Sequence, residues 1–399
     1  MLRASRRMKL AGAVLRNVRR TAAGFRFLSS ESLVSEPSLP DEADVVIVGG
    51  GAIGAALAYH LELKGLRPIL LERHTMTAGT TWHSAGMLWR LRPNDTDIQL
   101  HAYTRWLLKE KLMEELPDEA SPFTQNGGLF IATNEARFEE YKRLKELGGF
   151  FGVESEILSP EQATKVHPLL AKDAFHAALH SPGDGTIDPT TLTNAYVKAW
   201  RNQVEAKQGD NAAFKSTRLF EGVSAKSILK CKGDDGKERV EGVVTESGQR
   251  VRSKIVVNAC GAWAKELHNS ILGDSLPLCA MQHAMLVTEA IEGVNPSLPN
   301  VRDHDRSVYI KTQGNALAIG GYEPNPNFWA SPDRDFAFGL FDMDWEAFDH
   351  NLSGHMELCP SVETAGIQST VCGPESFTPD HKPLVGPYPS MDGYFLACG

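Results

Sequence analysis

Asp44-Val45-Val46-Ile47-Val48-Gly49-Gly50-Gly51-Ala52-Ile53-Gly54 decides the fold. Its first half is a run of β-branched apolar residues, the pattern of a strand buried on both faces. The glycines follow at once and fit G-x-G-x-x-G. Ala55 to Lys64 reads as a helix with Ala56, Leu57 and Leu61 turned inward, and Gly65 ends it. Pro68-Ile69-Leu70-Leu71-Glu72 reads as a second strand closing on an acid, 23 residues after Gly49. In such a unit Gly49 permits the tight turn, Gly51 lets a pyrophosphate approach the backbone, and Gly54 lets helix pack on strand. The helix N-terminus, with Ala52 and Ile53 just before it, offers unpaired N–H groups and a partial positive charge to phosphates. Glu72 is in register for a ribose diol, with Arg73 beside it. An acid at that position argues against a 2′-phosphate. The expected ligand is therefore FAD or NAD rather than NADP.

Working outward, Gly79-Thr80-Thr81-Trp82-His83-Ser84-Ala85-Gly86 follows this unit and places an imidazole where the reactive end of a dinucleotide arrives. Arg252 to Val257 reads as a strand that stops at Asn258-Ala259-Cys260-Gly261-Ala262-Trp263, where small residues allow close approach of backbone to ligand. Gly222-Val223-Ser224-Ala225 reads as a short strand whose backbone meets an adenine. Met281–Thr288, Val308–Lys311 and Leu317–Tyr322 read as strands of a second region, Phe336 to Phe348 as an aromatic stretch that begins a helix, and Tyr394–Gly399 as a buried strand reaching a glycine turn. Taken singly, His283, Tyr309 and His381 are better explained as hydrogen-bonded structural groups. The fold class read from this order is α/β: a Rossmann-like dinucleotide-binding domain interleaved with a β-sheet substrate domain.

Composition bounds the rest. The 399 residues are 42% hydrophobic and 23% charged, the proportions of an ordinary globular chain. Six scattered cysteines with no C-x-x-C give neither a zinc pattern nor a disulfide framework, and point to a reducing compartment. Residues 1–30 carry seven arginines and Lys9 but no Asp or Glu. That is the amphipathic, acid-poor pattern of a mitochondrial transit peptide; the rival reading is a basic arm for nucleic acid. Removing those eight positive charges takes the net charge from −9 to −17, which disfavours nucleic acid as partner. No apolar run is long enough to span a membrane. Residues 31–42, with Pro37 and Pro40, read as a linker.

Thr80–Pro93, Gln125–Ala132, Asn300–Asp305, Phe336–Asp342 and Cys372–His381 carry a specific resemblance. They resemble the dimethylglycine/sarcosine dehydrogenase family of D-amino-acid-oxidase-like flavoproteins, on its sarcosine-oxidising side. The Trp89-Arg90-Leu91-Arg92-Pro93 run separates that side from the dimethylglycine-oxidising one. Ser84 and Met87 depart conservatively from the commonest family residues. The resemblance covers residues 44–399. It implies a substrate region at 131–189 and 271–364 interleaved with FAD-binding parts at 43–130, 190–270 and 365–399. It also implies FAD held covalently by His83 through the flavin 8α-methyl, with Gly79, Thr80, Thr81, Trp82, Ala85, Gly86, Met87, Val223, Gly261 and Trp263 around it. The implied reaction is oxidative N-demethylation of sarcosine in the mitochondrial matrix. Electrons then pass to electron-transfer flavoprotein. The one-carbon unit leaves as formaldehyde or passes to tetrahydrofolate in a C-terminal aminomethyltransferase-like half, which is expected to lie beyond this sequence. His283 and Tyr309 match the family's substrate-site His and Tyr; Arg92 is the expected carboxylate ligand, with Arg302 and Lys382 as competitors. Alternative readings are a dimethylglycine dehydrogenase and a non-catalytic protein like the regulatory subunit of pyruvate dehydrogenase phosphatase.

Overall fold

Val45–Val48 lies inside a six-stranded sheet, between Val256–Asn258 and Pro68–Glu72, both parallel to it. Tyr394–Cys398 continues the parallel order beyond Val256–Asn258, and Leu384–Pro387 closes that edge antiparallel. Leu219–Glu221 forms the other edge. Val45, Val46 and Ile47 are all but inaccessible to solvent, as a strand covered on both faces requires. The structure is a computed structural model that describes residues 37–208, 218–273 and 275–399. The expected transit peptide and the start of the expected linker lie outside those residues. The end of the linker is held by Gln249, whose side chain accepts from the Leu39 N–H and donates to the Pro37 carbonyl.

The helix after the glycine turn spans Ala52–Leu63, three residues earlier than expected. Its fully buried face is Ala55, Ala58, Tyr59 and Glu62; Ala56, Leu57 and Leu61 are only partly buried against the same core. The long helix Pro189–Gln208 packs on it. Buried Glu62 is neutralised there by Arg218 at 2.7 Å and Lys207 at 3.0 Å, which is how a charge is tolerated inside. The expected strand at 252–257 is in fact two. Arg250–Arg252 belongs to an antiparallel meander with Glu238–Thr245 and Ala225–Lys232, and the sheet strand starts only at Val256. Val223 lies in the turn between strands, its N–H on the Glu72 carbonyl at 2.8 Å, and is not itself in a strand.

The second region is an eight-stranded mixed sheet. Its order is Ile367–Phe377, Cys279–Thr288, Ala316–Gly321, Val308–Gln313, Asn300–Asp303, Gly128–Ala132, Ala177–Ser181 and Glu156–Leu158. The expected boundaries at 130 and 365 therefore shift: Gly128–Ala132 and Ile367–Phe377 both belong to the substrate sheet, because each pairs with its strands rather than with Val45–Val48. The aromatic stretch from Phe336 is coil; the helix begins at Trp345, where Asp344 caps the N–H groups of Glu346 and Ala347. Before it, Trp329, Phe336 and Phe341 pack on one another with ring centres 5.0–5.3 Å apart.

Candidate active site

Between the two sheets runs one cleft of about 1530 Å³, which reaches from the glycine turn to Tyr309 and His283. At its nucleotide end the turn is built by exclusion of side chains. A Cβ on Gly49 (φ +113°) would lie 2.4 Å from the Ala259 carbonyl oxygen, and one on Gly54 would lie 1.9 Å from that of Gly49. Both distances are impossible for real atoms, so the strand–turn–helix junction demands glycine at these places. The Ala52 N–H donates to Thr81 Oγ1 at 3.1 Å. Glu72 accepts the N–H of Gly50 at 2.6 Å and of His74 at 2.8 Å, which fixes its carboxylate at the strand end. Arg73 stacks over Trp263, 5.6 Å from the ring centre, and Trp263 Nε1–H donates to the Asp333 carbonyl.

Most of the expected cofactor residues meet in this wall: Gly49, Gly51, Ala52, Ile53, Glu72, Arg73, Gly79, Thr80, Thr81, Ala85, Gly86, Met87, Val223, Gly261 and Trp263. Gly54, Trp82 and His83 do not line it. Gly54 acts through packing, as its spacing implied. His83 is 7% exposed and lies against Gly373, where a Cβ would sit 2.4 Å from the imidazole Cε1. Its Nε2 is buried without a hydrogen-bond partner. Burial, with a smaller contribution from His283, holds its pKa down at about 4, so the ring is neutral near pH 7.

At the other end, antiparallel pairing brings Cys279–Thr288 beside both Ile367–Phe377 and Ala316–Gly321. His283 therefore faces residues about 40 positions further along the chain. Its Nδ1 is 3.0 Å from Glu323 Oε2, and Glu323 Oε1 accepts the Ala284 N–H at 2.9 Å. The ring of Tyr322 stacks on His283 at 4.8 Å, and the Arg302 guanidinium lies 5.3 Å from the Tyr322 ring centre. Burial pulls the proton affinity of His283 down, but the Glu323 hydrogen bond and the Glu375 charge outweigh it, and the pKa is raised. Tyr309 is 3% exposed, and burial pushes its phenol far above the ordinary range.

The three expected cations separate. Lys382 is held by Asp97 at 2.7 Å. Arg92 and Arg302 line the cleft, and neither has a hydrogen bond or ion pair to any described residue; Arg92 Nε is fully buried in that state. The segment bearing Arg92 is pinned from behind by Asp184, fully buried, whose Oδ1 accepts from Ser181 Oγ at 2.8 Å and from the Arg90 N–H at 3.0 Å. The cleft is thus lined both by cations, Arg92 and Arg302, and by the carboxylates Glu323 and Glu375. That arrangement matches an amino-acid zwitterion. Glu323 and Tyr322 escaped sequence reasoning. Their only linear signal is that they follow the glycine pair ending a strand, Gly320-Gly321-Tyr322-Glu323. Gly320 is functional too, since a Cβ there would fall 2.3 Å from the Tyr309 hydroxyl.

A Rossmann-type sheet sharing one cleft with a polar-lined second sheet defines a two-domain, dinucleotide-dependent oxidoreductase. Residues 44–399 match the family model DAO, described as FAD dependent oxidoreductase, and the chain belongs to that family. It is 45% identical over 362 residues to mitochondrial sarcosine dehydrogenase of Homo sapiens, covering 90% of this chain and 38% of that protein. It is 33% identical over 405 residues to mitochondrial dimethylglycine dehydrogenase of Mus musculus, covering 98% of this chain and 44% of that one. The chain thus spans less than half the length of these relatives. The solved L-proline dehydrogenase of P. horikoshii shares the fold, with a TM-score of 0.75 at 23% identity over 90% of this chain and 88% of that one. FAD is the family's cofactor, and the side-chain-free glycine turn, the acid at Glu72 and the orphaned nitrogen of His83 fit it.

Proposed function

We propose that this chain is the FAD-binding portion of a mitochondrial matrix enzyme that oxidatively N-demethylates sarcosine. The carrying observation is the cleft's charge content, two guanidiniums without an ion pair among the described residues and a histidine–carboxylate pair in one cleft, in a chain 45% identical to a sarcosine dehydrogenase. Arg92 and Arg302 take the carboxylate. His283 removes the ammonium proton, because only the neutral amine releases hydride readily. Tyr309, held dry, positions the substrate by its hydroxyl. FAD, when bound, would supply the hydride acceptor for oxidation of the N-methyl carbon. His83 holds the flavin covalently, its buried unpartnered Nε2 being the free nucleophile for that bond. Electron-transfer flavoprotein is the proposed oxidant, and tetrahydrofolate in a C-terminal half of the full-length enzyme the proposed acceptor of the one-carbon unit.

The test is acid precipitation of the full-length protein followed by a mass and fluorescence scan of its tryptic peptides. Flavin is expected on the peptide containing His83, and sarcosine is expected to bleach it with a higher kcat/KM than dimethylglycine. Flavin that washes away in acid would remove the covalent bond, and a preference for dimethylglycine would move the assignment to the sister enzyme.

A further inference from the structure

His283 behaves differently from three buried histidines. His83, His167 and His355 are driven by burial to pKa values of about 4. His283 is shifted the opposite way, and the difference is its partner, Glu323. The Glu323 side chain is 5% exposed, and both its oxygens are used, one on His283 Nδ1 and one on the Ala284 backbone N–H. A carboxylate only accepts hydrogen bonds, so the shared proton sits on Nδ1 and leaves Nε2 with its lone pair. No described residue takes Nε2, and His283 lines the cleft.

We propose that Glu323 is a positioning residue that fixes the Nδ1–H tautomer of His283, aims Nε2 at the substrate amine, and holds the imidazolium formed when Nε2 takes the amine proton. The proposal rests on the sarcosine reading above and deepens it. In the step, one N–H bond of the substrate ammonium breaks and the Nε2–H bond forms. One positive charge moves from substrate to imidazole, and no electrons change hands. Every other group facing His283 acts on the same equilibrium. Glu375, on Ile367–Phe377, favours the imidazolium; Arg302 opposes it. Tyr322 stacks on the ring, while Tyr309 and His83 stay uncharged near neutral pH. Only Glu323 both touches Nδ1 and is locked by a backbone bond.

The test uses the full-length flavoenzyme and the variants Glu323→Gln and Glu323→Asp. In Glu323→Gln the acid limb of the rate of flavin reduction by sarcosine should move to lower pH, and the high-pH plateau should fall by about tenfold or more. Glu323→Asp should recover part of both. A profile that superimposes on the parent's overturns the proposal. Should the glutamine variant not fold, ¹⁵N-histidine spectra of the parent decide: Nδ1–H at His283 is expected, and the Nε2–H tautomer overturns it. These spectra need no substrate. Failure of sarcosine to reduce the parent's flavin at any pH would defeat the sarcosine assignment, while the tautomer would still decide the role of Glu323.

Discussion

Arg302 carries a guanidinium with no ion pair or side-chain hydrogen bond among the described residues in a largely buried place, at the cost of desolvation that lowers its pKa. Such a charge gains its counter-ion from a ligand. Removing one partner of a buried, hydrogen-bonded charge pair costs ~2–5 kcal/mol. Arg302→Met should therefore raise KM for sarcosine on the order of 100-fold, and kcat much less. Arg92→Met is the matched comparison, and KM unchanged in both would take the carboxylate off both arginines. The residues that sequence reasoning could name here were those embedded in recognisable local strings: His283 in Gln282-His283-Ala284, Tyr309 in its strand, Arg92 after the Trp-Arg pair. Tyr322 and Glu323 were not legible. Their importance comes from a contact across 40 residues that exists only once Cys279–Thr288 and Ala316–Gly321 pair. The choice between Arg302 and Lys382 also needed the fold, because only the fold brings Asp97 to Lys382.

The glycine turn shows the reverse case, an element whose logic is entirely local. Gly54→Ala puts a methyl group within bonding distance of the Gly49 carbonyl oxygen. The helix must then shift off the strand, at ~1–3 kcal/mol for overpacking of this kind. Thermal melts should show that loss, and purified protein should carry less flavin. Gly65→Ala is the control, since Gly65 has a positive φ (+83°) but nothing within 4 Å. It should cost about 1 kcal/mol of backbone strain and leave flavin content unchanged. Equal flavin content in the two variants would refute the packing account. Strand, turn and helix were legible because each obeys a short-range rule. The stretch from Phe336 was not, because its aromatic density reflects packing among Trp329, Phe336 and Phe341 rather than helical periodicity. The true start, Asp344 before Trp345, is an N-cap signal that the aromatics obscured.

Across the chain as a whole, one buried acid makes stability depend on pH. Burial raises Asp184 to about 7, against smaller opposing contributions from the Arg90 N–H, Ser181 and two arginines. The folded state thus holds a proton that an unfolded aspartate, with pKa near 3.8, releases. Its contribution to stability is complete below pH ~4 and is lost as pH rises through about 7, at up to ~1.4 kcal/mol per pH unit. Urea unfolding of the parent should weaken between pH 4 and 7, and Asp184→Asn should flatten that slope. An unchanged slope would mean that Asp184 is ionised in the fold. The interleaving of the two regions was legible in outline. Its boundaries were not, since which sheet claims Gly128–Ala132 or Ile367–Phe377 depends on partners distant in sequence.

The six-stranded sheet draws its strands from residues 45–72, 219–221, 256–258 and 384–398. In any delivery of the chain from its N-terminus, the first βαβ piece emerges early and waits. Its neighbour Val256–Asn258 arrives nearly two hundred residues later, and Tyr394–Cys398 later still. Until then the Val45–Val48 strand has an open edge, a liability for wrong pairing. Cofactor capture therefore has to wait until the last of these strands has been delivered, and a shortage of chaperones should lose this protein to aggregation before it loses it to inactivity.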